Sequence, residues 1–315
     1  MHIINHLIKK MFRKLFRFVC VIIRLLIKII FSFNREKIIV SQGSKINKLI
    51  LITSCGSMRR MRFNSLSSGA QSEINLNKID NPSDEYIQLM IISLIYYPND
   101  LKERNILIIG LGGGILPRAL RKLNSNDKIT IIEIDPVVYE MAKKYFYFKE
   151  DSKMKVIICD GFIYLNKLNE NENYDLIFID AYDSFNYLPN QMKTNQFLYL
   201  LKNHLNPMGG FIIFNLVCIY QSYFNIRNKI NHLFQLNHRI TFRSKDLLNI
   251  ILIGSTFNYS IENNLYFNLI EQIKRKLSID FDYLLKQKQE ENEFHLIENV
   301  KEDENVSLKQ FINLI

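Results

Sequence analysis

A regular alternation between residues 105 and 216 constrains the fold more than any other feature of this chain. "NILIIG" (105–110), "KITIIEID" (128–135), "MKVIICD" (154–160), "YDLIFID" (174–180) and "GGFIIFNL" (209–216) are apolar runs of strand length. Between them stand segments with helical spacing over residues 116–123, 137–146, 162–168 and 194–205. Strands that are apolar throughout have to be covered on both faces, and intervening helices supply those covers when the strands run parallel. The expected fold is therefore α/β, a doubly wound Rossmann-like sheet.

The flanks read differently. Residues 36–80 predict short strands and turns, a small N-terminal β region in which "MRRMRF" partly alternates and "SLSSGAQS" is a loop. Residues 84–97 have helical spacing and stop at Pro98. Beyond the main alternation, residues 223–236 predict a helix, and "RITFRS" and "LNIILIGS" predict a closing pair of strands. From residue 262 the pattern is helical, with Leu269, Ile270, Ile273, Leu277, Leu284 and Leu285 on one apolar face; residues 286–304 are charged and solvated. These shifts divide the chain into residues 1–35, 36–100, 101–258 and a C-terminal helical tail, 259–315.

The formal net charge of +10 is unevenly placed. Residues 1–35 carry eight Lys/Arg (Lys9, Lys10, Arg13, Lys14, Arg17, Arg24, Lys28 and Arg35) and no acid, which leaves the remainder at +2. A nearly neutral body argues against nucleic acid as a partner, because backbone binding needs cations clustered on the folded domain. The basic head has a cationic stripe at helical spacing and no uncharged run long enough to span a bilayer. It predicts an amphipathic segment that meets an anionic membrane surface through residues 9–35 or directs the chain to an organelle. Cys20, Cys55, Cys159 and Cys218 form no C-x-x-C pair, and the histidines have no metal-ligand spacing. This is the usage of an intracellular, reducing compartment, and it points to no metal cofactor.

The chemistry concentrates where the first main strand ends. Gly110, Gly112 and Gly114 in "GLGGG" let the backbone approach a ligand at the carboxyl end of a strand, and the following helix turns its N-terminal N–H groups to the same crevice. A dinucleotide fingerprint would place a glycine at 115, where this chain has Ile115, so a nicotinamide enzyme is disfavoured. Glu133 ends the second strand, where a carboxylate accepts from both ribose hydroxyls. Asp160 and Gly161 follow the third strand, where the acid can take an adenine amino hydrogen, and Asp180 ends the fourth. Three acids at successive strand ends with a glycine turn predict an adenosine-type ligand.

These residues resemble the spermidine synthase-like branch of the S-adenosylmethionine-dependent Rossmann methyltransferases over roughly residues 50–255. The resemblance lies in "GAQSE" (69–73), "EYIQLM" (85–90), "ILIIGLGGG", "IIEIDPVVYEMAKKYF" (131–146), "VIICDGFIYL" (156–165), "YDLIFIDAYDS" (174–184) and "FIIFNLVC" (211–218). Within the branch, "GLGGGILPRAL" and "FNLVC" are most similar to eukaryotic enzymes that methylate lysine and the N-terminus of a translation elongation factor. "DAYDSFNYLPNQMKTNQFLYLL" is also similar to bacterial spermidine synthase-like proteins.

The resemblance implies that Gln71, Gly110, Gly112, Gly114, Glu133, Asp160 and Gly161 bind S-adenosylmethionine. It makes Asp180 and Asp183 of "DAYD" the catalytic candidates, as acceptors of a proton from an amine nucleophile. It also marks departures. Spermidine synthases read G-G-G-D-G-G, and their amine-holding acid is Gly113 here; their Y-H-E-M histidine is Gln88 here. A decarboxylated donor presents an ammonium that wants that acid, whereas intact S-adenosylmethionine carries its own carboxylate, so glycine favours methyl donation. The expected function is methyl transfer to a protein amine or a small amine acceptor. Aminopropyl transfer and a membrane-tethered, non-catalytic binding protein stand as alternatives, and the reading leaves room for a homodimer.

Overall fold

The computed structural model describes residues 36–97, 103–183, 187–217, 222–234, 239–244, 249–256 and 265–288. The basic head and nearly all of the charged tail, with the expectations attached to them, lie outside the described residues. Two sheets organise the rest. Strands β1 (Lys37–Ser44), β2 (Lys48–Cys55), β3 (Met58–Phe63) and β4 (Ala70–Asn75) form an antiparallel sheet in that order. The second sheet has seven strands, built around β5 (Asn105–Ile109), β6 (Lys128–Glu133), β7 (Met154–Ile158), β8 (Leu176–Ile179) and β9 (Phe211–Val217), all parallel. Strands β10 (Arg239–Arg243) and β11 (Asn249–Ser255) extend it antiparallel, in the order β10-β11-β9-β8-β5-β6-β7.

Every strand of the main alternation is thus a strand, and the helices fall between them: α2 (Ile115–Leu123), α3 (Pro136–Tyr145), α4 (Gly161–Lys167) and α5 (Asn195–Asn203). The period of two explains how one strand serves two cores. Ile106 and Ile108 face a core built with α1 (Glu85–Ile92), α2, α7 (Leu265–Leu277) and α8 (Phe281–Leu285). Leu107 and Ile109 face the other core, with α4, α5 and α6 (Ser222–Leu233). A third cluster joins Ile50, Ile52, Met61, Phe63 and Ile74 of the small sheet to Val138, Met141 and Phe146 at α3. The helix of the tail breaks at Ser278, whose φ of 52° is left-handed, and Asp280 then caps α8 through Tyr283 N.

Two local expectations are corrected. The segment read as a loop at "GAQS" enters a strand, β4, in which burial alternates but the inward residue 72 is a serine rather than an apolar residue. The helix expected over 84–97 is α only to Ile92 and tightens into a 3-10 turn, Ser93–Tyr96. The order of the main sheet also fixes where a ligand can go. From β5 the chain adds β6 and β7 on one side, then crosses to β8 on the other, and the strand ends part there into a crevice.

Candidate functional site

A cavity of about 730 Å³ opens at that crevice, within the size range of small-molecule sites. Gln71, Gly110, Gly112, Glu133, Asp160, Gly161, Asp180 and Asp183 all border it. Gly114 does not: its Cβ would stand 2.5 Å from the Phe148 ring, so this glycine lets the helix start pack on Phe148. Gly110 is bound to the site by geometry. It has φ +102°, and a Cβ there would meet the Asp180 carbonyl carbon at 2.7 Å, so only glycine lets β5 and β8 end side by side.

The small sheet closes the cavity from outside the main fold. Gly113 N donates to Ser72 Oγ at 2.7 Å, which ties β4 to the glycine turn and brings Gln71 to the wall. At the other rim Asp135 accepts from Ser44 Oγ and from Asn47 Nδ2 at 2.8 Å, and caps α3 through Val137 N. The β1–β2 turn is held in this way beside Glu133, and Ile46 and Asn47 join the lining. No Cβ fits at Gly113 either, since it would lie 2.8 Å from a ring carbon of Phe146. A side chain at this position is excluded by packing.

The acids differ in how they are held. Glu133 is buried and accepts from Leu111 N (3.0 Å) and Asp135 N (2.9 Å), with the Ile134 backbone N–H also directed at its carboxylate. Burial pushes its carboxyl up to about 7. Asp160 caps α4 with Oδ1, through Phe162 N at 2.8 Å and Ile163 N at 3.0 Å. Asp180 accepts from Asn215 Nδ2 at 2.9 Å and from the Tyr86 hydroxyl; burial raises its proton affinity while these two donors lower it. Asp183 Oδ1 accepts from Tyr187 N at 2.9 Å, closing its own loop.

Several wall residues were not singled out by the sequence. Asn215 is buried in β9; its carbonyl oxygen side accepts from Asn249 Nδ2 at 2.7 Å, which sets the amide so that its N–H points to Asp180. Tyr182 is fastened to β9 by bonds to Asn215 O (2.5 Å) and from Val217 N (3.0 Å). A lone asparagine inside "FIIFNLV" was the available signal, because an amide within a buried strand needs partners. Asp84, Glu73 and Tyr86 form the remaining acidic wall. Burial, then the neighbouring Glu73 carboxylate, lift Asp84 to about 7. Among the described residues no group of His, Cys, Asp and Glu could hold a metal ion.

The cavity fits an adenosyl donor on its own evidence. It offers a glycine-rich turn for close backbone approach, a buried carboxylate at a strand end for paired hydroxyls, and an acid at the next strand end. Comparison with known proteins gives the same direction. Residues 88–242 match the spermine/spermidine synthase domain. A polyamine aminopropyltransferase from Vibrio vulnificus is 30% identical over 187 residues, 57% of this chain and 59% of the relative. An eEF1A lysine and N-terminal methyltransferase from Xenopus laevis is 36% identical over 146 residues, 42% of this chain and 21% of the relative. The chain thus spans about three fifths of the first relative and about a fifth of the second.

Among solved structures, human Methyltransferase-like protein 13 in complex with SAH aligns with TM-score 0.53 and 26% identity, over 64% of this chain and 98% of that one. A spermidine synthase in complex with the transition state analogue AdoDATO aligns with TM-score 0.58 over 88% of this chain and 89% of that one; at 18% identity it supports the fold alone. The chain is thus similar, over residues 88–242, to the spermine/spermidine synthase domain, and its relatives include both polyamine aminopropyltransferases and eEF1A methyltransferases.

Proposed function

We infer that the chain transfers a methyl group from S-adenosylmethionine to an amine, with a protein amine as the favoured acceptor. The observation that carries this is Gly113, packed under Phe146 and against Ser72, at the position where the resemblance to spermidine synthases implies the acid for the donor's ammonium. Without a carboxylate there, nothing at the glycine turn pairs with an ammonium that has lost its neighbouring carboxylate, and nothing there repels the carboxylate of an intact methionyl group. Glu133 would hold the ribose hydroxyls, Asp160 the adenine amine, and the glycine turn the backbone side of the donor. S-adenosylmethionine supplies an already activated sulfonium methyl, so the chain's work is positioning and exclusion of water. Asp180, oriented by Asn215 and Tyr86, faces the acceptor side.

A second reading, aminopropyl transfer, is favoured by the acid-rich wall of Glu73, Asp84 and Asp180, which suits a polyamine, and by the matching domain. One experiment separates the two. The purified chain is incubated with either donor, together with spermidine or a lysine-containing peptide bearing a free N-terminus, and the products are weighed by mass spectrometry. Methylated peptide from the intact donor supports the proposal. An aminopropyl adduct from the decarboxylated donor replaces it.

A further inference from the structure

The carboxylates around the cavity are unequally occupied. Glu133 and Asp160 hold backbone N–H groups on the donor side, as described above. On the acceptor side Glu73 is ion-paired with Arg60, and Glu85 is bound by Ser244 Oγ (2.9 Å) and Tyr283 Oη (3.3 Å) from the far side of α1. Asp180 accepts from Asn215 and Tyr86, and Asp183 from Tyr187 N. Asp84 is different. It stands at the N-cap position of α1, where an aspartate ordinarily accepts from the second or third helical N–H, yet it makes no side-chain cap bond. Its Oδ2 instead accepts a long bond from Glu73 N, 3.3 Å across the cavity rim.

A carboxylate that forgoes its cap and borders a cavity keeps its lone pairs for something that enters. The charges that face it come from several elements. Glu73 on β4 and Asp180 after β8 repel its charged form, and Arg60 on β3 favours it. Tyr86 on its own helix and Tyr182 after β8 are neutral phenols held high by burial and by these acids. The balance leaves Asp84 with a proton affinity near neutrality, where a general base works best.

We propose that Asp84 is the proton acceptor for the incoming amine, with Asp180 holding the ammonium beside it before transfer. This rests on the amine-acceptor part of the function inferred above and adds the residue that makes the nucleophile. One N–H bond of the acceptor ammonium breaks and an O–H bond forms on Asp84. The freed lone pair then makes the new C–N bond as the C–S bond of the donor breaks, with its electron pair staying on sulfur. The positive charge moves from sulfonium to methylated amine, and Asp84 returns its proton to solvent through the cavity mouth.

The test uses the full chain and its Asp84→Asn and Asp84→Glu variants. Calorimetry first measures S-adenosylhomocysteine binding, then binding of spermidine and of a lysine peptide to that complex, in two buffers of different ionisation heat. Methyl transfer to the same two probes is then followed from pH 5.5 to 9. The proposal expects S-adenosylhomocysteine affinity within about twofold in all three proteins. It expects proton release on amine binding near pH 7 in the wild type and none in Asp84→Asn. Transfer should fall by about 10²-fold or more in Asp84→Asn, with the acid limb near pH 7 gone and partial recovery in Asp84→Glu. Unchanged proton release and an unchanged pH profile in Asp84→Asn overturn the assignment alone. A wild type that binds no S-adenosylhomocysteine overturns the methyl-transfer reading and the assignment with it.

Discussion

Replacing Gly110 with alanine tests the claim that the glycine turn exists to let two strand ends meet. Two costs add. The residue sits at φ +102°, outside the regions open to alanine, which costs about 1–3 kcal/mol. Its Cβ would stand 2.7 Å from the Asp180 carbonyl carbon, a backbone atom that cannot rotate away, and overpacking of this kind costs about 1–3 kcal/mol more. Gly56 separates the terms. It also has positive φ, +57°, but nothing lies within 4 Å of its Cβ position, so Gly56→Ala reports the backbone term alone. Thermal unfolding of the two variants beside the wild type should show Gly110→Ala lower by roughly 10 °C and Gly56→Ala by less than half of that, at about 2–4 °C per kcal/mol. Equal losses in the two variants would refute the close-approach argument.

Three further outcomes follow from the same structure. Arg104→Ala strands the Asp127 carboxylate, which is buried with its partner at 2.6 Å, and should cost about 3–5 kcal/mol by denaturant titration. Glu133 titrates near 7 when folded against an ordinary 4.5, so the native state binds its proton more tightly than the unfolded chain. That contribution is full below about pH 4.5 and is lost as pH rises through 7, by about 3 kcal/mol at 1.36 kcal/mol per unit. Glu133→Gln should flatten this fall in stability between pH 5 and 8, and an unchanged slope would remove Glu133 as its source. Gly113→Asp should lower the melting temperature through its clash with Phe146 and gain no affinity for the decarboxylated donor by calorimetry.

What the sequence discloses depends on whether a residue's role is local. Ile106 through Ile109 declare a two-faced buried strand because consecutive apolar residues alternate between two cores, whichever strands pair with them. Glu133, Asp160 and Asp180 are legible for the same reason: each closes a strand, and parallel strands bring their ends together. Ser72 hid β4, because its hydroxyl satisfies Gly113 N from another domain segment, a partner 41 positions away. Asn249 and Asn215 are 34 positions apart and meet only because β11 pairs with β9. Asp84 opens the helical spacing of residues 84–97, which its N-cap position supports, but the missing cap bond and the facing carboxylates appear only in three dimensions. Gly114 carried the motif's regularity into the site, whereas its packing partner is Phe148.

The central claim is that this cavity takes an intact S-adenosylmethionine rather than its decarboxylated form. Calorimetric titration of the full chain with each donor, repeated with Glu133→Ala, tests it most directly. The account predicts tighter binding of the intact donor, and loss of that binding in the variant. Tighter binding of the decarboxylated donor would contradict it and assign the acidic wall to polyamine synthesis.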